Sequence, residues 1–267
     1  MVKAGAGSGT EGAGAAARHP DPLERPGQRR PSRDMVTEIL RKRIALGGFA
    51  PGSRLPAERE LAASLGVGRN TVRQAVRRLA DEGLVVTTLG RSGGTRVRPA
   101  PAVEGERAAV AADFRATIRD YMEYRTAVEP FAAALAARRG STADRRALVR
   151  MLDEEVANLA AYHQVDSRFH LAVAAAAGNE VLGEAVERAR AEMFVRGNAL
   201  WLDCDWTLVY PPDRDLSRVF CEEHRAIALA VLAGDAETAE ARMREHLEDS
   251  GRQFLALLDH FEANGGS

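Results

Sequence analysis

Four side chains have the types and spacing that suit a metal ion. Asp166 and His170 stand four apart in VDSRFH, so one helix would present both on the same face. His224 lies ten residues before Gly234, and His246 lies eleven after Asp235. If Gly234-Asp235 folds two helices back on each other, the two imidazoles stand at nearly the same height. At 1.5 Å per residue that is roughly 15–17 Å from the turn. Facing helices of a bundle build metal sites from inward side chains. One carboxylate and three imidazoles suit a divalent cation of the zinc, nickel or manganese class, with positions left open for water or a ligand. His19, His163 and His260 lack such companions and read as surface or satisfied core residues. Cys221, three before His224, is a rival donor but reads better as a small buried side chain.

A second set of side chains is suited to phosphate and base edges. Residues 56–83, PAERELAASLGVGRNTVRQAVRRLADEG, read as two short helices around a tight turn. Pro56 is expected in the first turn, where a missing N–H has no consequence. Gly66-Val67-Gly68 breaks the first helix. In the second, Val72, Ala75, Val76 and Leu79 recur at i, i+3, i+4, i+7 and form the inward face. Arg69, Arg73 and Arg77 recur every four residues along the outward side, and Gly83 is placed to end the helix in the left-handed conformation. A charged helical hairpin that merely meets water would look similar. The following residues decide between the two: LVVTT alternates like a strand, LGRSGG is a glycine-rich turn with Gly90 and Arg91 near its tip, and TRVRP returns. A helix-turn-helix followed by a short basic wing is a DNA reader.

These two sites need different surroundings, and the composition separates them. Residues 29–98 hold fifteen Lys/Arg against six Asp/Glu, a balance of +9, residues 1–28 are neutral, and the remainder carries −10. A basic head on an acidic partner domain fits binding to a polyanion. Residues 1–28, rich in Ala, Gly and Pro, are expected to be a disordered tail. A helix is expected over 33–46, with Met35, Ile39 and Leu40 as its apolar side, and residues 99–112 have the composition of a linker. Helical patterns then cover 113–139, 143–162, 165–177, 180–197, 216–233 and 236–261. The expected fold is mainly α: a winged helix-turn-helix over 29–98, then an all-α bundle of about six helices over 113–262. The aromatic-rich stretch 201–215 reads as a surface connection or, alternatively, a lid. No run approaches the roughly 20 apolar residues of a membrane span, no secretory signal is seen at the N-terminus, and two cysteines make no disulfide framework. A cytoplasmic protein is expected.

The order of motifs resembles the GntR family of bacterial transcription regulators. GGFAPGSRLPAERELAASLGV, RNTVRQAVRRLADEGLV and a glycine-rich wing carry that resemblance over roughly 33–98. The family usually has Ser or Thr where this chain has Gly68. Residues 113–260 resemble the FCD ligand-binding domain of the FadR subfamily, through DSRFH, EEHRAIALAVLAGD and MREHL. The resemblance makes Asp166, His170, His224 and His246 the metal ligands. It also singles out Arg125 and Glu129 in YRTAVEP, with Arg125 as an anchor for the effector. Arg69, Asn70 and Arg73 are expected on base edges, and Arg59, Thr71 and Arg91 on phosphates or in the minor groove. The resemblance implies a homodimeric repressor on a palindromic operator, released by a small organic acid. The alternative is a metal-dependent hydrolase or isomerase with a DNA-binding head, since Asp/His metal sites also activate water.

Overall fold

A computed structural model describes residues 31–88, 90, 93–98, 104–153, 159–201 and 216–264. Among them the order is α1 (Arg33–Ala45), α2 (Glu58–Ser64), α3 (Arg69–Asp81), β1 (Val85–Thr88), β2 (Gly94–Val97), α4 (Glu104–Arg139), α5 (Thr142–Met151), α6 (Leu159–Ala176), α7 (Glu180–Trp201), α8 (Leu216–Ala233) and α9 (Ala236–Asn264). The mainly α architecture expected from the sequence is observed. His19, Arg91, the tail over 1–28 and residues 202–215 of the aromatic-rich stretch lie outside the described residues.

The first module closes on one apolar cluster. Ser32 caps α1 by accepting from the Met35 N–H. The helix buries Val36, Leu40 and Ile44, which are four apart, whereas Met35, expected to face inward, is 55% exposed. The inward stripe is therefore one residue out of phase with the expected one, because Ile44 extends the row through Val36 and Leu40. Pro56 stands one residue before the N-cap Ala57 rather than inside the first turn. There Glu60 Oε2 accepts from the Ala57 N–H at 3.1 Å, satisfying an amide at the helix start. The inward face of α3 is the expected Val72, Ala75, Val76 and Leu79. Gly83 leaves the helix at φ +75°, and β1 pairs antiparallel with β2 in register Val85 to Val97.

In the helical region α4 begins at Glu104, inside the stretch of linker composition, and runs unbroken to Arg139. Pro130 removes one amide from its ladder and leaves the Thr126 carbonyl four residues earlier without its usual donor. Arg244 of α9 donates to that carbonyl at 3.3 Å. The pattern over 143–162 is divided: α5 ends at Met151 and α6 starts at Leu159, with no glycine or proline to mark the break. Side-chain caps set the other starts. Ser141 accepts from Asp144 N, Asn179 from Leu182 N and Asp235 from Thr238 N. Gly234, at φ +77°, turns α8 into α9. Among the described residues no helix is long and apolar enough to cross a membrane.

The two modules touch. Ala45 at the end of α1 is buried in the bundle's own apolar cluster. His163 Nε2–H donates to the Ala45 carbonyl at 2.9 Å, and Lys42 pairs with Glu187 of α7 at 2.9 Å.

Candidate metal centre and nucleic-acid interface

The four sequence-derived ligands meet. α6 presents Asp166 and His170 one turn apart, and the α8–α9 hairpin brings His224 and His246 level with each other. One donor atom from each lies within 4.8 Å of the others, and all four residues are buried. His170 Nε2 is 3.3 Å from both His246 Nε2 and His224 Nε2. Asp166 Oδ1 stands 3.4 Å from the Nε2 of His170 and of His224. Cys221, half-buried, is not in the cluster.

Protonation decides what this convergence means. His170 Nδ1 donates to Glu129 Oε2, and His246 Nδ1 donates to Glu223 Oε2 at 2.8 Å. With those protons on Nδ1, the Nε2 lone pairs of His170 and His246 face each other at 3.3 Å, a repulsive arrangement unless a cation sits between them. Metal-bound histidines are held in the same way, with the outer N–H on a carboxylate. Donors about 2.0–2.1 Å from a tetrahedral ion stand about 3.3–3.4 Å apart, which matches the separations of His170 from His224 and His246 and of Asp166 from His170 and His224. Burial lowers the pKa of His170, His224 and His246, so at neutral pH all three are in the ligating form. Burial opposes ionisation of Asp166, but the Arg190 guanidinium beside it holds its carboxyl well below the usual range. Glu129 is likewise held low, against burial, by Arg125 and His170.

The surroundings come from α4 and α7. Arg125 Nε donates to Glu129 Oε1 at 2.5 Å, and its Nη1 lies against the sulfurs of Met122 and Met193. Arg190 donates to Asp166 Oδ2. Both guanidiniums lie over the Phe194 ring, at 6.0 Å and 5.2 Å. An open pocket of about 260 Å³, lined by Glu222, Glu223, Arg242, Glu245 and Asp249, reaches His246 from outside. Glu223 and Arg190 were not singled out from the sequence. Glu223 had a signal, since it precedes the candidate ligand His224 in EEH. Arg190 had none, being one arginine among several on a helix of mixed polarity.

On the basic module, Arg59, Arg69, Asn70, Arg73 and Gly90 are exposed and Thr71 is half-buried. Gly68 caps α3 with no side-chain bond. Arg73 donates from Nη2 to Glu58 of α2 at 2.9 Å.

Comparison with known proteins follows the same division. Residues 32–97 match the bacterial regulatory proteins of the gntR family, and residues 120–249 match the FCD domain. A relative described as an HTH-type transcriptional regulator, RmpR of Mycobacterium gastri, is 32% identical over 85% of this chain and 80% of its own. An L-lactate dehydrogenase operon regulatory protein of Escherichia coli K12 is also 32% identical, over 80% of this chain and 83% of its own. The solved E. coli McbR/YncC structure shares the fold at a TM-score of 0.50 and 19% identity, covering 85% of this chain and 97% of that one. These relatives regulate transcription, which removes the enzyme alternative. The chain belongs to the GntR family, FadR subfamily: a DNA-binding transcription regulator with an FCD effector-binding domain.

Proposed function

We propose that the protein is a homodimeric repressor whose hold on a palindromic operator is loosened by a small carboxylate bound at a divalent metal in the helical domain. The observation that carries this reading is the convergence of the Nε2 atoms of His170, His224 and His246 with Asp166 Oδ1, the outer N–H groups of His170 and His246 being already on carboxylates. Asp166, His170, His224 and His246 would hold a zinc-, nickel- or manganese-class ion, which supplies positive charge and open coordination positions for an acid. Arg125 is proposed as an anchor beside it, because a guanidinium grips carboxylate in bidentate fashion. On the DNA side, Arg69, Asn70 and Arg73 read base edges, while Arg59, Thr71, Gly90 and Arg91 meet phosphates or the minor groove. The E. coli relative's name ties it to the L-lactate dehydrogenase operon, which favours a carboxylate as the signal here.

The test begins with metal. Purified full-length protein should carry close to one ion per chain, and His224→Ala should carry almost none. Selection from random duplex DNA should then return an inverted repeat, and L-lactate or a related acid should weaken that complex only in metal-loaded protein. By linkage, DNA must weaken the acid by the same factor. Equal acid affinity with and without DNA would remove the switch, and a metal-free parent under metal-rich conditions would remove the metal.

A further inference from the structure

The base of the wing carries two arginines side by side on one face. Residues 52–55 run antiparallel to β2 along the edge opposite β1. Leu55 N donates to the Thr95 carbonyl at 2.9 Å, and Val97 N to the Ser53 carbonyl at 3.0 Å. These two bonds flank Arg54 and Arg96, which oppose each other as a bridge. A pair placed between the bonds in this way has its Cα atoms only about 4.5 Å apart and its side chains at their closest. Strand alternation puts both on the outer face, since the adjoining Leu55 and Val97 are buried in the module's core. Both arginines are exposed.

Like charges directly opposite each other on a sheet are destabilising, and no carboxylate relieves them. Among the described residues neither Arg54 nor Arg96 has an ion pair, whereas Arg33, Arg41, Arg73 and Arg78 of the same module each have one. The two guanidiniums are tied to backbone instead. Arg54 Nη2 donates to the Gly93 carbonyl at the wing turn, and Arg96 Nη1 to the Gly52 carbonyl at 3.0 Å. Gly94 makes room for the first, since a Cβ there would lie 2.6 Å from Arg54 Nε. Each guanidinium uses one of its five N–H groups in this way and keeps the rest for water or an anion. Two tethered cations, close together and without a carboxylate, suit an anion with several oxygens.

We propose that Arg54 and Arg96 form a phosphate clamp at the base of the wing, which holds the duplex by its backbone without reading bases. On a module that binds DNA, the anion that such a pair meets is a backbone phosphate. The repulsion across the strands then has a use: it is present in the free protein and relieved when a phosphate lies between the two cations. This inference needs only DNA binding by the winged module. It is independent of the metal, of the effector and of the base contacts proposed for α3.

The experiment measures the full chain by fluorescence anisotropy on random duplex and on the selected operator, over a series of salt concentrations. The parent is compared with R54Q, R96Q and the double variant. R43Q and R43E serve as charge controls, because Arg43 is exposed at the end of α1 that docks on the bundle. R54Q and R96Q should each weaken both duplexes about threefold to tenfold and lower the slope of log affinity against log salt by about 1, the double variant by about 2. The ratio of operator to random affinity should stay within about twofold of the parent, because backbone contacts carry no sequence information. Thermal midpoints check the fold, and R96Q should melt no lower than the parent, a repulsion having been removed. If a glutamine variant melts lower because its tie to the backbone is lost, R96E decides. Its carboxylate would pair with Arg54 across the strands and keep the wing in place, while the slope falls by about 2. A parent-like slope in the double variant or in R96E, or an equal loss in the matched Arg43 variant, overturns the inference. So does a loss confined to the operator, which would make the pair a base reader.

Discussion

Two of the molecule's arginine–glutamate pairs stand in opposite settings. On the basic module Arg73 pairs with Glu58 across α3 and α2, with side chains 45% and 34% exposed. In the bundle Arg125 pairs with Glu129 along α4, with side chains 3% and 2% exposed. The exposed pair is solvated, screened by salt and easily exchanged for another partner. That is what the base-reading role proposed for Arg73 requires, because in it the side chain would have to leave Glu58 to reach a base. The buried pair has lost its water and cannot exchange. Its use is to aim: Glu129 holds the Nδ1–H of His170 with one oxygen and Arg125 with the other. One domain keeps its arginines available, and the other keeps them positioned.

Breaking the buried pair should have the largest effect. Glu129→Ala strands the Arg125 guanidinium without its carboxylate and releases His170 Nδ1. Removing one partner of a buried pair typically costs about 3–5 kcal/mol, and loss of an outer-sphere carboxylate lowers metal affinity about 10–100-fold. Urea unfolding with and without zinc, together with a competitive zinc titration, would measure both. An unchanged stability would mean that the pair is not desolvated as the structure has it.

His163 sharpens the comparison, because it is buried against the end of α1 and, among the described residues, has no ion pair. Burial pushes its pKa down from 6.5 to about 4, and its ring sits edge-on to Phe194 at 4.4 Å. Between those two values the unfolded chain binds a proton that the folded chain refuses. Its contribution is therefore fully present above about 6.5 and lost as pH falls toward 4. From pH 7 to pH 5 the loss is about 2 kcal/mol for this residue. His163→Asn should flatten the pH slope of stability by that amount, with the other buried histidines still contributing theirs. A variant with the parent's slope would place the acid sensitivity elsewhere.

Gly47 tests the same seam sterically. It sits at φ +78°, and a Cβ there would lie 2.9 Å from His163 Cδ2 and 3.0 Å from Gln164 Cγ. Gly47→Ala combines a left-handed backbone with that overlap and should destabilise by about 1–2 kcal/mol. Differential scanning calorimetry would register it. No change would mean that the two domains do not press together at this point.

How much of this could be read from the chain follows from how local each signal is. Asp166 and His170 are four apart on one helix, and His224 and His246 are level across a single turn, so simple periodicity located all four. The recognition helix was equally plain, because Val72, Ala75, Val76 and Leu79 repeat without interruption. Arg190 was invisible for the opposite reason. Its meaning depends on Asp166, twenty-four residues earlier on another helix, and that contact leaves no pattern in α7. The break between α5 and α6 has no Gly or Pro to announce it. Met35 was placed inward because one helical turn cannot distinguish stripes that differ by a single residue. Arg125 and Glu129 were visible only through family resemblance. What remained to be seen was that Glu129 serves His170 as well as Arg125.

The smallest effect on stability is expected at the exposed pair, and it divides stability from function most cleanly. Glu58→Gln removes a partner that the solvent already screens, so the thermal midpoint should stay within a degree or two of the parent. DNA binding should move the other way. The neutral amide no longer holds Arg73 back, and one negative charge has left a surface that must approach phosphates, so affinity for any duplex should rise a few-fold at low salt. Arg73→Ala should also leave stability nearly unchanged, yet weaken the selected operator about tenfold or more while changing random DNA far less, because a base contact is lost rather than a phosphate contact. Fluorescence anisotropy on operator and random duplexes at two salt concentrations separates these outcomes. If Glu58→Gln weakens operator binding instead, then Glu58 orients Arg73 for the base just as Glu129 orients His170, and the two ion pairs would be doing the same job after all.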